Sequence, residues 1–227
     1  MNILAIYGAG GLGREVLEIA QQINNLQVQW DEVIFVDDFK FGNIVKKSKV
    51  VTFDTLMELA KHREKSLSLV IANGDPINRK KIFERLSVNN LGEYLVPIVS
   101  PQARVASSAK VGVGTIICPG VHVSVDVSIS SNCLINVNSI VGHDVTIEND
   151  SVISSQVNLG GNVKVLAGVF IGMGTTVREG ITVGSRSIIG MGSSVHKSVP
   201  PGVLFLGNPA RAMRKVEQVT LYKNNSG

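Results

Sequence analysis

The sequence predicts two unlike folds in one chain: an α/β domain of Rossmann type, then a parallel β-helix built from hexapeptide repeats. Three observations carry this. The chain opens on a short apolar run, a cluster of glycines and a helix-spaced segment. From Val99 onward an aliphatic residue recurs every sixth position. Val, Ile and Gly are plentiful while aromatics are only 5%, a balance that suits many short strands joined by tight turns.

The first domain reads in order from its N-terminus. Asn2–Tyr7 is an apolar strand, followed by Gly8-Ala9-Gly10-Gly11-Leu12-Gly13, and Arg14–Ile23 carries Val16, Leu17, Ile19, Ala20 and Ile23 at helical spacing. Strand, glycine turn and helix open a nucleotide-binding βαβ unit. There the glycines let backbone approach phosphate, and the helix N-terminus favours negative charge. Val33–Val36 is a second strand ending in Asp37-Asp38, carboxylates suited to accept hydrogen bonds from a ribose or base. Leu67–Ala72 reads as a strand, Asn73-Gly74-Asp75-Pro76 as its loop and Asn78–Leu86 as a helix. A ligand-free strand–helix turn is the plain alternative. At under a hundred residues the unit is about half of a dinucleotide fold, which favours a mononucleotide carrier over NAD.

The repeat occupies the second domain. Stepping by six from Val99 through Val105, Val111 and Ile117 to Ile189 and Val195 meets seventeen aliphatic residues without a miss. Two positions before many of the steps stands a small or β-branched residue, such as Thr115, Cys133, Ser139, Ser151 or Ser187. Three hexads close one roughly triangular coil of about eighteen residues, so seventeen hexads make between five and six coils. A β-sandwich, with its period of two and frequent turn signals, would not hold one phase this long. The chain therefore divides into residues 1–96, 97–199 and a closing segment 200–227.

Composition excludes several classes. With 22 basic and 18 acidic side chains the net charge is only +4, and no aromatic-laced basic stripe marks a nucleic-acid surface. The late cluster Lys197, Arg211, Arg214, Lys215 and Lys223 suits either a small anionic ligand or a solvated tail. Two cysteines, Cys118 and Cys133, imply no disulfide framework. The N-terminus reads as a strand and not a signal peptide. With no run of about 18 apolar residues to cross a membrane, a cytoplasmic protein is expected.

Gly8–Gly13, Asp37-Asp38-Phe39-Lys40, the hexads, His143-Asp144 and Gly207-Asn208-Pro209-Ala210-Arg211 together resemble one family along nearly the whole chain. It is the hexapeptide-repeat nucleotide-sugar acetyltransferases, typified by UDP-4-amino-sugar N-acetyltransferases, with perosamine and sialic acid acetyltransferases as relatives. Ile71–Leu86, with Gly74, is similar to that family's nucleotide domain. The resemblance implies a left-handed coil, His143 as general base and Asp144 orienting it. It implies a nucleotide-linked sugar held by Gly10, Gly11, Leu12, Asp37, Asp38 and Gly74. Acetyl-CoA would lie between subunits of a homotrimer near Gly161, Met173, Met191 and Gly192, with Arg211 available to its phosphates. Leu12 and Val152 stand where such relatives carry histidines.

His143 falls two residues beyond Val141, at a coil corner, and points outward; position alone also fits a solvated turn histidine. A neutral imidazole, with an ordinary pKa near ~6.5, suits removal of a proton from an amine or hydroxyl attacking a thioester. His122 and His196 read as surface residues and His62 as solvated within its charged run. The 4-amino group of a 4,6-dideoxy sugar nucleotide is the favoured acceptor; O-acetylation of sialic acid, or less readily serine, is the alternative. A non-catalytic sugar-nucleotide-binding protein is the rival outside enzymes. A zinc γ-carbonic anhydrase is disfavoured because His122 and His143 lie 21 residues apart, not a multiple of the coil, and no metal is expected.

Overall fold

The structure, a computed structural model, describes residues 1–61 and 66–216. His62 and Lys223, both named above, lie outside the described residues. The first domain is a five-stranded sheet, β1 (Asn2–Tyr7), β2 (Glu32–Val36), β3 (Ile44–Val45), β4 (Ser48–Val51) and β5 (Ser66–Ile71), ordered β3-β4-β2-β1-β5. Its strands are parallel except the β3–β4 hairpin. Three helices accompany it: α1 (Gly11–Leu26), α2 (Phe53–Lys61) and α3 (Pro76–Val88).

The alternation along β1 explains the layering. Ile3 and Ala5 join the core beneath α2 and α3, with Leu56, Leu69 and Leu86, while Leu4 and Ile6 face the α1 side with Val16, Ile19 and Phe35. The expected α1 and α3 each extend a few residues further at both ends, as the fraying of helix boundaries allows. The hairpin and α2 go beyond the elements expected from spacing. A signal for α2 does exist: Thr52 Oγ1 accepts from Thr55 N–H at 3.2 Å, a local N-cap ahead of apolar Phe53, Leu56 and Met57.

The second domain is a left-handed parallel β-helix. Among the described residues seventeen two-residue strands, β6 (Ile98–Val99) to β22 (Ser194–Val195), each end on the aliphatic of the six-residue period. They form three flat parallel sheets, each strand before the last coil pairing with the one eighteen residues on, as Ile117 with Ile135 and Ile135 with Ile153. Inward residues from Ile117 to Val195 are buried. Val99, Val105 and Val111 are half-buried, because the first coil has a neighbour on one side only.

Two further columns hold the coils in register. Buried hydroxyls donate to carbonyls fifteen residues on, as Thr115 to Ser130 at 2.8 Å, Ser139 to Ser154 at 2.8 Å and Ser151 to Leu166 at 3.0 Å. The corners turn on a left-handed residue at every sixth position from Gly114 to Gly192. Glycine, asparagine or aspartate fills that place, except Gln156 and Arg186.

The outward residues distinguish the three faces. One face presents Ile98, Ile116, Leu134, Val152, Phe170 and Ile188, whereas the others present mostly polar side chains such as Arg104, Asn158, Lys110 and Thr182. The first four of the apolar stripe are buried and share one core with the α1 side of the first domain. That stripe is where the two domains join. The chain closes with β23 (Val203–Gly207), stacked on β21 (Ile188–Ile189), and its antiparallel partner β24 (Ala210–Lys215).

Because the stack has no other core, Ile153→Ala, at a fully buried inward position, is expected to cost about 2–5 kcal/mol. Urea unfolding of the two proteins side by side measures it; an unchanged midpoint would contradict the packing described.

Candidate active site

The parallel strands define where a ligand approaches. The chain runs outward from β1 through β2 to β4, then returns to place β5 on β1's other side, so the crevice lies beyond the carboxyl ends of β1 and β5. The glycine turn sits there. Gly8 adopts φ +110°, and a Cβ on it would stand 2.8 Å from the Ala72 carbonyl oxygen. A Cβ on Gly13 would strike the Gly8 carbonyl, so α1 packs against β1 only because residue 13 has none. Gly10 and Gly11 differ, since a Cβ on either would meet nothing within 4 Å. The protein's own packing does not require glycine there, and the backbone at both positions stands open to close approach from the crevice.

The end of α1 supports an anion. Its N-cap is Gly10, without a side-chain cap and without an acidic residue in the first turn, so its free N–H groups and positive dipole end face the crevice. The N-terminus of α3 is instead closed by Asp75, which accepts from Ile77 and Asn78 N–H at 2.8 and 3.2 Å. Leu12 is half-buried against the α1-side core, and Gly74 is half-buried in the β5–α3 loop.

The two aspartates after β2 do different work. Asp37 accepts from Ala9 N–H and Phe39 N–H, each at 3.1 Å, tying the glycine turn to the β2 loop while leaving acceptor capacity on both oxygens. Asp38 turns toward the other layer: it accepts from Phe53 N–H at 2.8 Å and pairs with Arg85 at 3.0 Å. Arg85 also donates to the Tyr7 hydroxyl at 2.7 Å and lies 3.7 Å from the centre of the Phe53 ring. Burial pushes the Asp38 carboxyl up, but the Phe53 N–H and Arg85 outweigh it and hold the group below its usual value. Asp38 therefore organises the pocket wall instead of facing the crevice. Nothing in the spacing points to Arg85 or Tyr7, because their meeting depends on α3 folding back across the sheet.

His143 and Asp144 are the two central residues of a coil corner, between β13 (Ile140–Val141) and β14 (Thr146–Ile147). Backbone pins the corner on both sides, Asp144 N–H donating to Val125 at 3.1 Å and Asn162 N–H to His143 at 2.8 Å. Asp144 has φ 60°, which swings its carboxylate beside the preceding ring. His143 Nδ1 and Asp144 Oδ2 are 2.7 Å apart. A carboxylate only accepts, so Nδ1 carries the hydrogen and a neutral ring presents Nε2 as its base. The imidazole lies over Gly161, one coil on, where a Cβ would stand 2.5 Å from both Cε1 and Nε2. The side chain is 58% exposed, open to a partner molecule.

The other residues sort onto two edges of one polar face, that of β10 (His122–Val123), β13, β16 (Asn158–Leu159), β19 (Thr176–Val177) and β22. His143, Asp144 and Gly161 flank one edge. Met173, Met191 and Gly192 flank the other, both methionines exposed. Arg211 belongs with that second edge: it pairs with Leu206, which packs against Gly190. Along the face runs an open groove of about 400 Å³, lined by Asn158, Gly160, Arg178, Glu179 and His196 among others. A larger cavity of about 1010 Å³ lies between the start of α3 and the apolar face, with Asp75, Lys80, Asp150 and Phe170 in its wall. Neither is lined by His143. Val152 is buried on the apolar face, away from the His143 corner.

His122 projects from the polar face and His196 follows the last coil strand, with its Nε2 2.9 Å from Ser194 Oγ. The three described histidines stand on different coils. Cys118 and Cys133 are free and buried, and burial pushes their thiols up to about 12 and about 11, so neither offers a ready thiolate.

An α/β domain with a glycine turn, docked on hexapeptide coils that carry a carboxylate-paired histidine at a corner, defines the architectural class. Comparison with known proteins narrows the class. Residues 3–86 match the PglD N-terminal domain family. GDP-perosamine N-acetyltransferase of Escherichia coli O157:H7 is 32% identical over 132 residues, and the match spans 57% of each chain. The acetyltransferase domain of PglB from Neisseria gonorrhoeae FA1090 superposes with a TM-score of 0.85 at 29% identity, over 93% of this chain and 99% of that one. PerB from Caulobacter crescentus, solved with CoA and GDP-perosamine, gives 0.83 at 28% identity over 93% and 97%. Over nearly its whole length the chain is thus similar to solved acetyltransferases of two bacteria, one of them bound to CoA and a nucleotide-linked amino sugar.

The Asp38 contacts carry a pH signature. A carboxyl held low in the folded state adds stability above its unfolded pKa, and that stability is lost as pH falls through the folded value. Asp38→Asn should therefore be less stable than the parent at pH 7, by at most about 1 kcal/mol because the pair is part-exposed. The gap should close below the usual carboxylate range. Thermal melts from pH 7 to pH 3 measure it, and a gap independent of pH would remove the charge of Asp38 from the account.

Proposed function

We propose that the chain transfers the acetyl group of acetyl-CoA to the amino group of a nucleotide-linked 4-amino-4,6-dideoxy sugar. The observation that carries this reading is the Asp144-paired imidazole of His143, exposed at a coil corner over Gly161. A likeness over 93% of the chain to PerB, solved with CoA and GDP-perosamine, supports the substrate class. The PglB domain, also solved with acetyl coenzyme A, supports the donor.

In this mechanism the sugar's amine nitrogen attacks the thioester carbonyl carbon. Nε2 of His143 takes the proton that the nitrogen sheds as the new C–N bond forms, and Asp144 steadies the positive ring through Nδ1–H. The tetrahedral oxyanion collapses, the C–S bond breaks, and the proton passes to the departing sulfur. No acyl-enzyme is needed, which accords with two cysteines whose thiols are held protonated. The nucleotide rests on the free end of α1, with Gly10 and Gly11 against its phosphates, Leu12 beside the sugar, and Gly74 and the open lone pairs of Asp37 toward the nucleoside; Asp38 holds the wall behind them.

Coenzyme A takes the second edge, with Met173, Met191 and Gly192 along its pantetheine and Arg211 toward its phosphates. Those residues and the His143–Gly161 edge lie on opposite sides of one face of a single chain. The reading therefore needs a neighbouring copy to bring one edge to the other, as a cyclic homotrimer does. No nucleic acid or metal enters the reaction. Among the described residues no helix is long and apolar enough to cross a membrane. Use of acetyl-CoA favours a cytoplasmic reaction, where acetamido-sugar nucleotides feed polysaccharide assembly. O-acetylation of a sugar hydroxyl would use the same base and is the alternative the assay must separate.

Release of free thiol from acetyl-CoA, followed across amino- and hydroxyl-bearing sugar nucleotides, tests the reading; turnover with a 4-amino sugar nucleotide such as GDP-perosamine is expected. Silence across the panel from a protein that binds the nucleotides would leave a binding protein instead. His143→Ala should fold and assemble as the parent does yet lose about 10²–10⁴ in kcat; retained turnover would strip His143 of its role. Asp37→Ala should raise KM for the nucleotide sugar and leave KM for acetyl-CoA alone. Equal loss of both would contradict the division of labour between the domains.

A further inference from the structure

Arg79 is wholly buried, and the proposed chemistry does not use it. Its guanidinium reaches two bodies at once. Toward the first domain, Nη1 donates to the carbonyls of Ile71 and Asn73 at 2.7 and 3.0 Å. Toward the β-helix, Nε donates to the Asn132 carbonyl at 2.9 Å, and Nη2 donates to the Asn132 side-chain oxygen at 2.9 Å and to the carbonyls of Gly114 and Cys133 at 3.3 and 3.4 Å. Gly114 and Asn132 are equivalent corners of successive coils. Asn132 in turn donates to Asp150 at 2.7 Å, so a carboxylate answers the buried charge at second hand. Burial pulls the group down to about 10, which leaves it protonated at neutral pH.

Adhesion does not call for this cation. The domains already share an apolar core through Ile98, Ile116, Leu134 and Val152, and a buried ionic group adds little net stability over an apolar one. A guanidinium adds direction, because its five donors are fixed in one plane. The direction is specific here. Ile71 and Asn73 bracket Ala72, whose carbonyl lies against Gly8 at the start of the glycine turn.

The geometry assigns Arg79 as a positioning residue: it fixes the β5–α3 loop, and through Ala72 the glycine turn, against the first corners of the β-helix. The nucleotide pocket thereby stands at a set place relative to the acetyl-transfer face. This rests on the reading of the glycine turn and Asp37 as the nucleotide pocket.

Calorimetric binding of nucleoside diphosphates (GDP and UDP) and, separately, of CoA to the assembled protein tests it without requiring turnover. Arg79→Lys keeps the charge and loses the fork; Arg79→Met loses both at similar volume. For each folded variant, the nucleotide Kd should rise about tenfold, with lysine giving no rescue over methionine, and CoA affinity should stay within about twofold, as for a pocket left loose by its support. Asn132→Gly keeps the left-handed corner and removes one acceptor, and should weaken nucleotide binding by a few-fold in the same sense. An unchanged nucleotide Kd in a folded Arg79→Lys protein, or parallel loss of both ligands, overturns the assignment. Should neither Arg79 variant fold, an unchanged nucleotide Kd in Asn132→Gly overturns it. A parent protein that binds CoA but no nucleoside diphosphate refutes the pocket reading itself, and the role of Arg79 with it.

Discussion

Stacking of like upon like at an eighteen-residue translation is the constraint from which the rest follows. Each coil must present to the next the same backbone path, the same inward aliphatic and the same turn, or the parallel ladders between them break. Valine and isoleucine meet the demand because their stiff branched side chains fit a flat β face without rotamer choice. The buried hydroxyls of Thr115, Ser139, Ser151 and Ser187 meet it differently: each sits where a coil bends, and supplies a donor to a carbonyl the bend has turned inward. A corner can hold a functional side chain only if its backbone is already fixed. His143 satisfies that, held by hydrogen bonds to the coil before and the coil after.

The same periodicity frees the outward positions to differ from face to face. One face is apolar along its length and carries the first domain over its early coils, while the face beside His143 is largely polar and solvent-facing. Apolar burial explains why the domains adhere, but not why they adhere in one orientation. An aliphatic stripe translates onto itself every coil, so it would tolerate a slip by one. Arg79 does not, since its acceptors on Gly114, Asn132 and Cys133 include an asparagine side chain present at one corner of that column only. Direction comes from the cation and adhesion from the stripe.

Much of this architecture is legible in the amino-acid order. The strand ends from Val99 to Val195, the glycine turn, the helix after it and the outward aim of His143 follow from spacing alone. The left-handed corner column is equally readable, as Gly, Asn or Asp three residues after most of the aliphatics, and so is the apolar stripe of period eighteen beginning at Ile98. Other features lie beyond local pattern. The β3–β4 hairpin is short and its strands carry little alternation. Arg79 and Arg85 look like ordinary helix-surface cations, and only the tertiary path of α3 makes one a buried bolt and the other the partner of Asp38. Asp37 and Asp38 form an indistinguishable pair in sequence; successive residues leaving a strand point to opposite layers, and this separates the one that faces the crevice from the one that braces its wall.

That separation of adjacent carboxylates has a counterpart at the other site. Asp144 is usable by His143 only because the corner forces residue 144 to a positive φ, which an aspartate tolerates better than most side chains. A glutamate there would add reach and lose that tolerance, while glycine would relieve the backbone and remove the acceptor. Aspartate at a left-handed corner thus serves the turn and the imidazole at once. Gly161 answers from the next coil, since any side chain there would occupy the space the ring now fills. Three residues on two coils therefore form one unit, which the stacking rule had already brought into contact: 161 is 143 advanced by one coil, and no separate folding event is needed to assemble them.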